Sequence, residues 1–315
     1  MKHRTAALAT PAPPGTPFHH LAGPGFATPR VYATILVGVA GVTAITQIPG
    51  QPVLSVHGTS HGIPAMPIIG PNTPVMSWQA ETALALTLLL TVILAISGSR
   101  LRTSLSVTGR VRWAWLGTCT LIAMGVLTAL TVVGYGTQLL LHLGSHPVFP
   151  DKPTTGETIL AGALMVLACV YAVALELLFR GWYLQASRAE QTAWMAIVMQ
   201  AFMYTTSHVP RQTVWGYADL ALYAVVAGWL TISTGGTEAT IAFAIAWNAS
   251  LIADTLLITG HLAPSYGGIA VSGWHLAIHL TAVLAYAAVT QLASRHRRVA
   301  AEGVDGPRDE PRADR

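Results

Sequence analysis

Residues 158–186 read TILAGALMVLACVYAVALELLFRGWYLQA. As a helix, a run of this length crosses the roughly 30 Å of hydrocarbon in a bilayer. A helix also satisfies its backbone hydrogen bonds internally, as lipid requires. The run lacks the apolar–polar alternation of a membrane β-barrel strand. Working outward, further apolar runs lie at about 31–48, 80–97, 113–136, 192–210, 215–233, 237–258 and 273–293. The chain is 52% hydrophobic and 10% charged, with a mean hydropathy of +0.53. Soluble domains carry about 25% charged residues, so a chain this poor in charge cannot cover a water-facing surface. The expectation is an all-α polytopic membrane protein, with about eight transmembrane helices in one bundle.

Lysine and arginine collect on the cytoplasmic side of membrane helices. With the N-terminus inside and eight spans, every one of the 17 basic residues except Lys152 and Arg211 falls inside. A miscount would reverse the side of everything downstream, so this split predicts that both termini are cytoplasmic. Residues 1–30, rich in Pro, Ala, Gly and Thr, read as a disordered cytoplasmic tail. Residues 31–157 hold the first three helices and an external loop at 49–79. Residues 158–293 form the core, and 294–315 a second cytoplasmic tail. Most tryptophans lie near run ends, as an interfacial belt would. Cys119 and Cys169 sit inside apolar runs and read as free thiols. The net charge of +4 is spread between runs and does not suggest nucleic-acid binding.

Four polar residues stand inside these runs: Glu176, Arg180, His208 and Asn248. A charge at the centre of a span costs on the order of 2.5–3.5 kcal/mol on insertion scales, so such residues are functional candidates by default. Glu176 and Arg180 share a helix face, with the acid first, the favourable order for a pair. The blander reading has Arg180 snorkelling to the interface with Glu176 following. Taken alone, His208, in YTTSH, reads more readily as an interfacial histidine than as a catalyst, and Asn248 as a helix–helix hydrogen bond. At about 1.5 Å per residue, Glu176 and Asn248 lie roughly 15 and 16 Å deep, and His208 roughly 24 Å. His275 and His279 fall on one helix face, a spacing that can ligate a metal. Interfacial hydrogen bonding is the simpler account of that pair. Asp219 and Asp254 are further intramembrane acids, read as pairing within the bundle.

At these residues the chain resembles the CPBP family, which contains the CAAX-processing endopeptidases and many bacterial Abi proteins. The family pattern EExxxR-G aligns with Leu175 through Gly181, FxxxH with Tyr204–His208, and HxxxN with Ala244–Asn248. The motif helices fall within 158–258. The resemblance implies an eight-helix intramembrane peptidase of the bacterial plasma membrane. In that peptidase the first Glu and the second-motif His activate water, and the third-motif Asn stabilises the oxyanion. In this chain Leu175 replaces the first Glu and Ala244 the third-motif His. Leucine accepts no proton, and general-base catalysis contributes about 10²–10⁴-fold.

Three readings follow. The chain is a CPBP-type endopeptidase using His208 as base, Asn248 as oxyanion donor and Glu176 with Arg180 as an assisting pair. Alternatively it is an inactive relative, a membrane binding or immunity-type protein. The third reading is a transporter, although no inverted repeat or broken helix pair supports it. No cofactor is expected. The expected partners are membrane lipid and a membrane-embedded or membrane-proximal peptide or protein, with no nucleic acid.

Overall fold

The computed structural model describes residues 17, 18, 21, 36–38, 40, 41, 44, 84–95, 104–140, 155–187, 192–207, 213–259 and 273–297. Among them every regular element is helical, as the apolar runs predict. The helices are α1 (Leu84–Ala95), α2 (Trp113–Leu140) and α3 (Thr155–Glu176), followed by a π-helical turn (Leu177–Tyr183) and α4 (Leu184–Ser187). Then come α5 (Ala193–Thr206), α6 (Val214–Thr234), α7 (Glu238–Thr259) and α8 (Gly273–His296). Four helical stretches among the described residues are long and apolar enough to cross a membrane: Trp113–Gly134, Ala161–Ala186, Val214–Thr234 and Leu276–His296. At 14 residues, α5 covers only about 21 Å. The run at 31–48 and the loop at 49–79 lie largely or wholly outside the described residues.

Helix α7 packs along both α2 and α3, while α6 packs against α5, α7 and α8. The core between them is built from Leu, Ala, Phe, Tyr and Trp side chains. Large apolar residues such as Leu121, Val132, Val166, Phe202 and Leu292 face outward. A helix apolar on its outer face belongs in lipid. Both cysteines are free.

The stretch from 158 to 186 is not the single regular α-helix that its length and predominantly apolar character suggested. Immediately after Glu176 the chain widens into the π-turn, whose residues are all buried. The segment leading into α2 crosses this turn. A Cβ on Gly181 would stand 2.6 Å from the backbone oxygen of Ser104, so only glycine lets the two backbones approach this closely. The same segment then pairs with the turn joining α6 to α7: Val107 N donates to Gly235 O at 2.9 Å, and Thr237 N to Leu105 O at 2.9 Å. Gly235 ends α6 in the left-handed conformation, with φ of 67°. Arg112 closes the junction on Glu238, with Nε to Oε1 at 2.9 Å and Nη2 to Oε2 at 2.7 Å. Its Nη1 also caps α6 through the Thr234 carbonyl at 2.8 Å. Within the expected tail 1–30, Phe18 is fully buried against Leu184, Ala196 and Ile197, with Leu21 packed beside that cluster.

Candidate functional site

Glu176 is the last residue of α3, and Arg180 sits one turn later inside the π-turn. They are 2% and 0% exposed, and Arg180 Nη1 lies 3.2 Å from Glu176 Oε1. The guanidinium is therefore enclosed by protein and does not snorkel to the interface. Two tyrosines make that burial tolerable. The Arg180 guanidinium carbon sits 4.1 Å from the ring centre of Tyr204 on α5, and 4.8 Å from that of Tyr223 on α6. Desolvated cation–π contacts of this kind contribute about 2 kcal/mol or more. Tyr223 also donates its hydroxyl to Glu176 Oε1 at 2.9 Å.

A second pair lies beside the first. His279 on α8 has Nδ1 2.6 Å from Oδ1 of Asp219 on α6, with the two side chains 12% and 20% exposed. The imidazole centre lies 4.1 Å from that of Trp247 in a tilted contact, and the ring is stacked 5.7 Å from Tyr223 and 6.2 Å from Phe243. Tyr223 thus touches both pairs, its hydroxyl on Glu176 and its ring face on His279. The two pairs, Arg180–Glu176 and His279–Asp219, flank Tyr223, which is hydrogen-bonded to the first and stacked on the second, and the group is assembled from the π-turn and helices α3, α6 and α8. An imidazole held by a carboxylate through one nitrogen keeps the other nitrogen basic and oriented.

Not every residue singled out from the sequence joins this group. His208 lies outside the described residues, one position beyond Ser207, which caps α5. Asn248 is half-buried, and its Nδ2 donates to Ala244 O of its own helix at 2.7 Å. Leu175 and Ala244 are buried hydrocarbon. The side chains of His275 and Asp254 lie outside the described set. Among the described residues no three His, Cys, Asp or Glu side chains converge as a metal site would require. His279 enters instead as the partner of Asp219. The sequence offered no spacing by which to link those two, since they are 60 residues apart on separate helices. The aromatic cladding from Tyr204 and Tyr223 was equally hidden, although Tyr204 stands at the phenylalanine position of the second motif.

Residues 157–250 match the family model described as Rce1-like, type II CAAX prenyl endopeptidase Rce1-like. The match takes in α3, the π-turn, α5, α6 and the first half of α7, and covers under a third of the 315 residues. No curated protein matches the chain.

Proposed function

We propose that the chain, whose residues 157–250 match the Rce1-like family model, is a CPBP-type membrane-embedded endopeptidase in which His279, oriented by Asp219, takes the base role that Leu175 cannot. The observation that carries this reading is the 2.6 Å His279–Asp219 contact, one tyrosine away from the family's Glu176. Asp219 accepts a hydrogen bond from Nδ1–H and so fixes the tautomer, which leaves the Nε2 lone pair to take a proton from water. The hydroxide adds to the scissile carbonyl, and the imidazolium is stabilised by the carboxylate behind it. When the C–N bond breaks, the same proton passes to the leaving amine. The half-exposed Asn248 amide serves as oxyanion donor, and the family resemblance gives His208, the second-motif histidine, a share in activating water. Glu176 and Arg180 act as the assisting pair that sets the position of Tyr223. The substrate is a peptide segment in or beside the membrane.

A second reading is favoured by two observations. Hydrocarbon fills the positions of Leu175 and Ala244, and the Asn248 amide is engaged by its own helix. Under it the chain binds a membrane peptide or protein without cleaving it. Purified protein in liposomes, assayed with quenched-fluorescent lipidated peptides, separates the two. On the endopeptidase reading the natural chain cleaves, and Asp219→Asn lowers kcat by about 10²-fold or more. On the binding reading the natural chain is silent, and activity emerges only in a Leu175→Glu, Ala244→His variant.

A further inference from the structure

A cleft of about 640 Å³ opens where α2 begins and α8 ends, lined by Arg110, Arg112, Trp113, Trp115 and Arg297 among others. Both helices are membrane-spanning stretches and they pack against one another. Their shared end is therefore at a membrane surface, at the depth of lipid headgroups. Three guanidiniums meet there. Arg112 is committed to the buried Glu238 carboxylate and the Thr234 carbonyl. That pairing neutralises Glu238 and leaves the cleft with the positive charge of Arg110 and Arg297, both exposed. The positive end of the α2 dipole adds to this field.

The walls match an amphiphile. Trp113 is 74% exposed at the rim, where an indole bridges headgroup and hydrocarbon. Trp115 forms the buried wall, and its Nε1 has no acceptor among the described residues. Further along α2 from the cleft, Leu121, Met124, Val132 and Val133 face outward, an apolar surface against which acyl chains can lie. A free anion would use only the guanidiniums. An anion that carries a hydrocarbon tail uses the rim indole and the outward face of α2 as well as the guanidiniums. Basic clefts between helix ends at the membrane surface recognise such headgroups.

We infer that this cleft is a binding site for the phosphate of an anionic phospholipid, held by Arg110 and Arg297, with the acyl chains laid along α2. The assignment is independent of whether the chain cleaves peptides. The test uses the full chain in detergent micelles, titrated with phosphatidylglycerol, with phosphatidylcholine and with inorganic phosphate. Bound lipid is read by native mass spectrometry, and melting temperature by tryptophan fluorescence. Phosphatidylglycerol is expected to bind and raise the melting temperature, with binding weakened about 30-fold in Arg110→Gln, Arg297→Gln. Phosphatidylcholine is expected to bind at least tenfold more weakly, and millimolar phosphate not to displace the lipid. Equal binding of the two lipids, or unchanged affinity in the double variant, overturns the proposal. Displacement by phosphate alone overturns the lipid assignment in favour of a free anion. Each exposed arginine is also replaced singly, so that the result stands if the double variant does not fold.

Discussion

Arg180 concentrates the energetics of the site in one side chain. A buried ion is tolerated only with its partner present, and removing one member of a buried pair costs about 3–5 kcal/mol. Arg180→Ala should therefore destabilise the bundle by about that amount, measured by thermal unfolding in detergent. Replacing both members with hydrocarbon, as in Glu176→Met with Arg180→Met, should recover most of the loss, since no charge is then left unpaired. If the single and double variants were equally unstable, the pair would not be the source of the cost. The pairing itself was legible from the sequence, because spacing on a helix puts Glu176 and Arg180 on one face. The tyrosine rings that enclose Arg180 were not, because they arrive from α5 and α6. Leu175 and Ala244 were legible as departures from the family pattern. That His279 and Asp219 form a pair was visible only once α6 and α8 had packed.

The π-turn is the element that most distinguishes the fold from a plain helix bundle. A run whose only charges, Glu176 and Arg180, stand one turn apart has no extended polar face to reveal whether its period is helical or wider, so the turn left no trace in residues 158–186. It becomes intelligible through its neighbours: the segment from Ser104 to Arg112 passes over Gly181 and locks into the α6–α7 turn. Gly181→Ala should push a methyl against the Ser104 carbonyl and cost about 1–3 kcal/mol, the range for overpacking. Hydrogen exchange should then rise in residues 104–112 and in the first turn of α7, while α8 stays protected. A uniform rise throughout the bundle would instead mean that the crossing is not a separate element. Helix limits were otherwise close to the apolar runs. The run at 215–233 became Val214–Thr234, and that at 273–293 became Gly273–His296. Helix α5 stops at Thr206, short of the expected end near 210.

At the scale of the whole molecule, composition and the helices able to span a bilayer together make this a membrane protein. The distribution of lysine and arginine makes a sharper prediction, that the N- and C-termini share the cytoplasmic side. Reporter fusions that fluoresce or become enzymatically active on one side only should report the cytoplasm at both ends. Opposite sides at the two ends would rule out an even number of spans. The Asp219–His279 pair carries its own prediction at this scale, because it ties α6 to α8. Asp219→Asn preserves the volume and one hydrogen bond, so the melting temperature should change little while cleavage falls. A large loss of stability with no change in cleavage would make the pair structural.

The sequence by itself determined that the chain is helical, that it belongs in a membrane, and that Glu176 and Arg180 face each other. Each of these follows from residue spacing or local polarity within a single segment. Only the tertiary structure decided that Arg180 lies enclosed between two tyrosines, that the helix widens after Glu176, and that His279 meets Asp219. Those contacts join residues from separate helices, and their partners are set by how the helices pack, which spacing along one helix does not encode. The stretch 158–186 therefore announced the fold unaided, whereas the chemistry around its two charges depends on what the other helices bring to it.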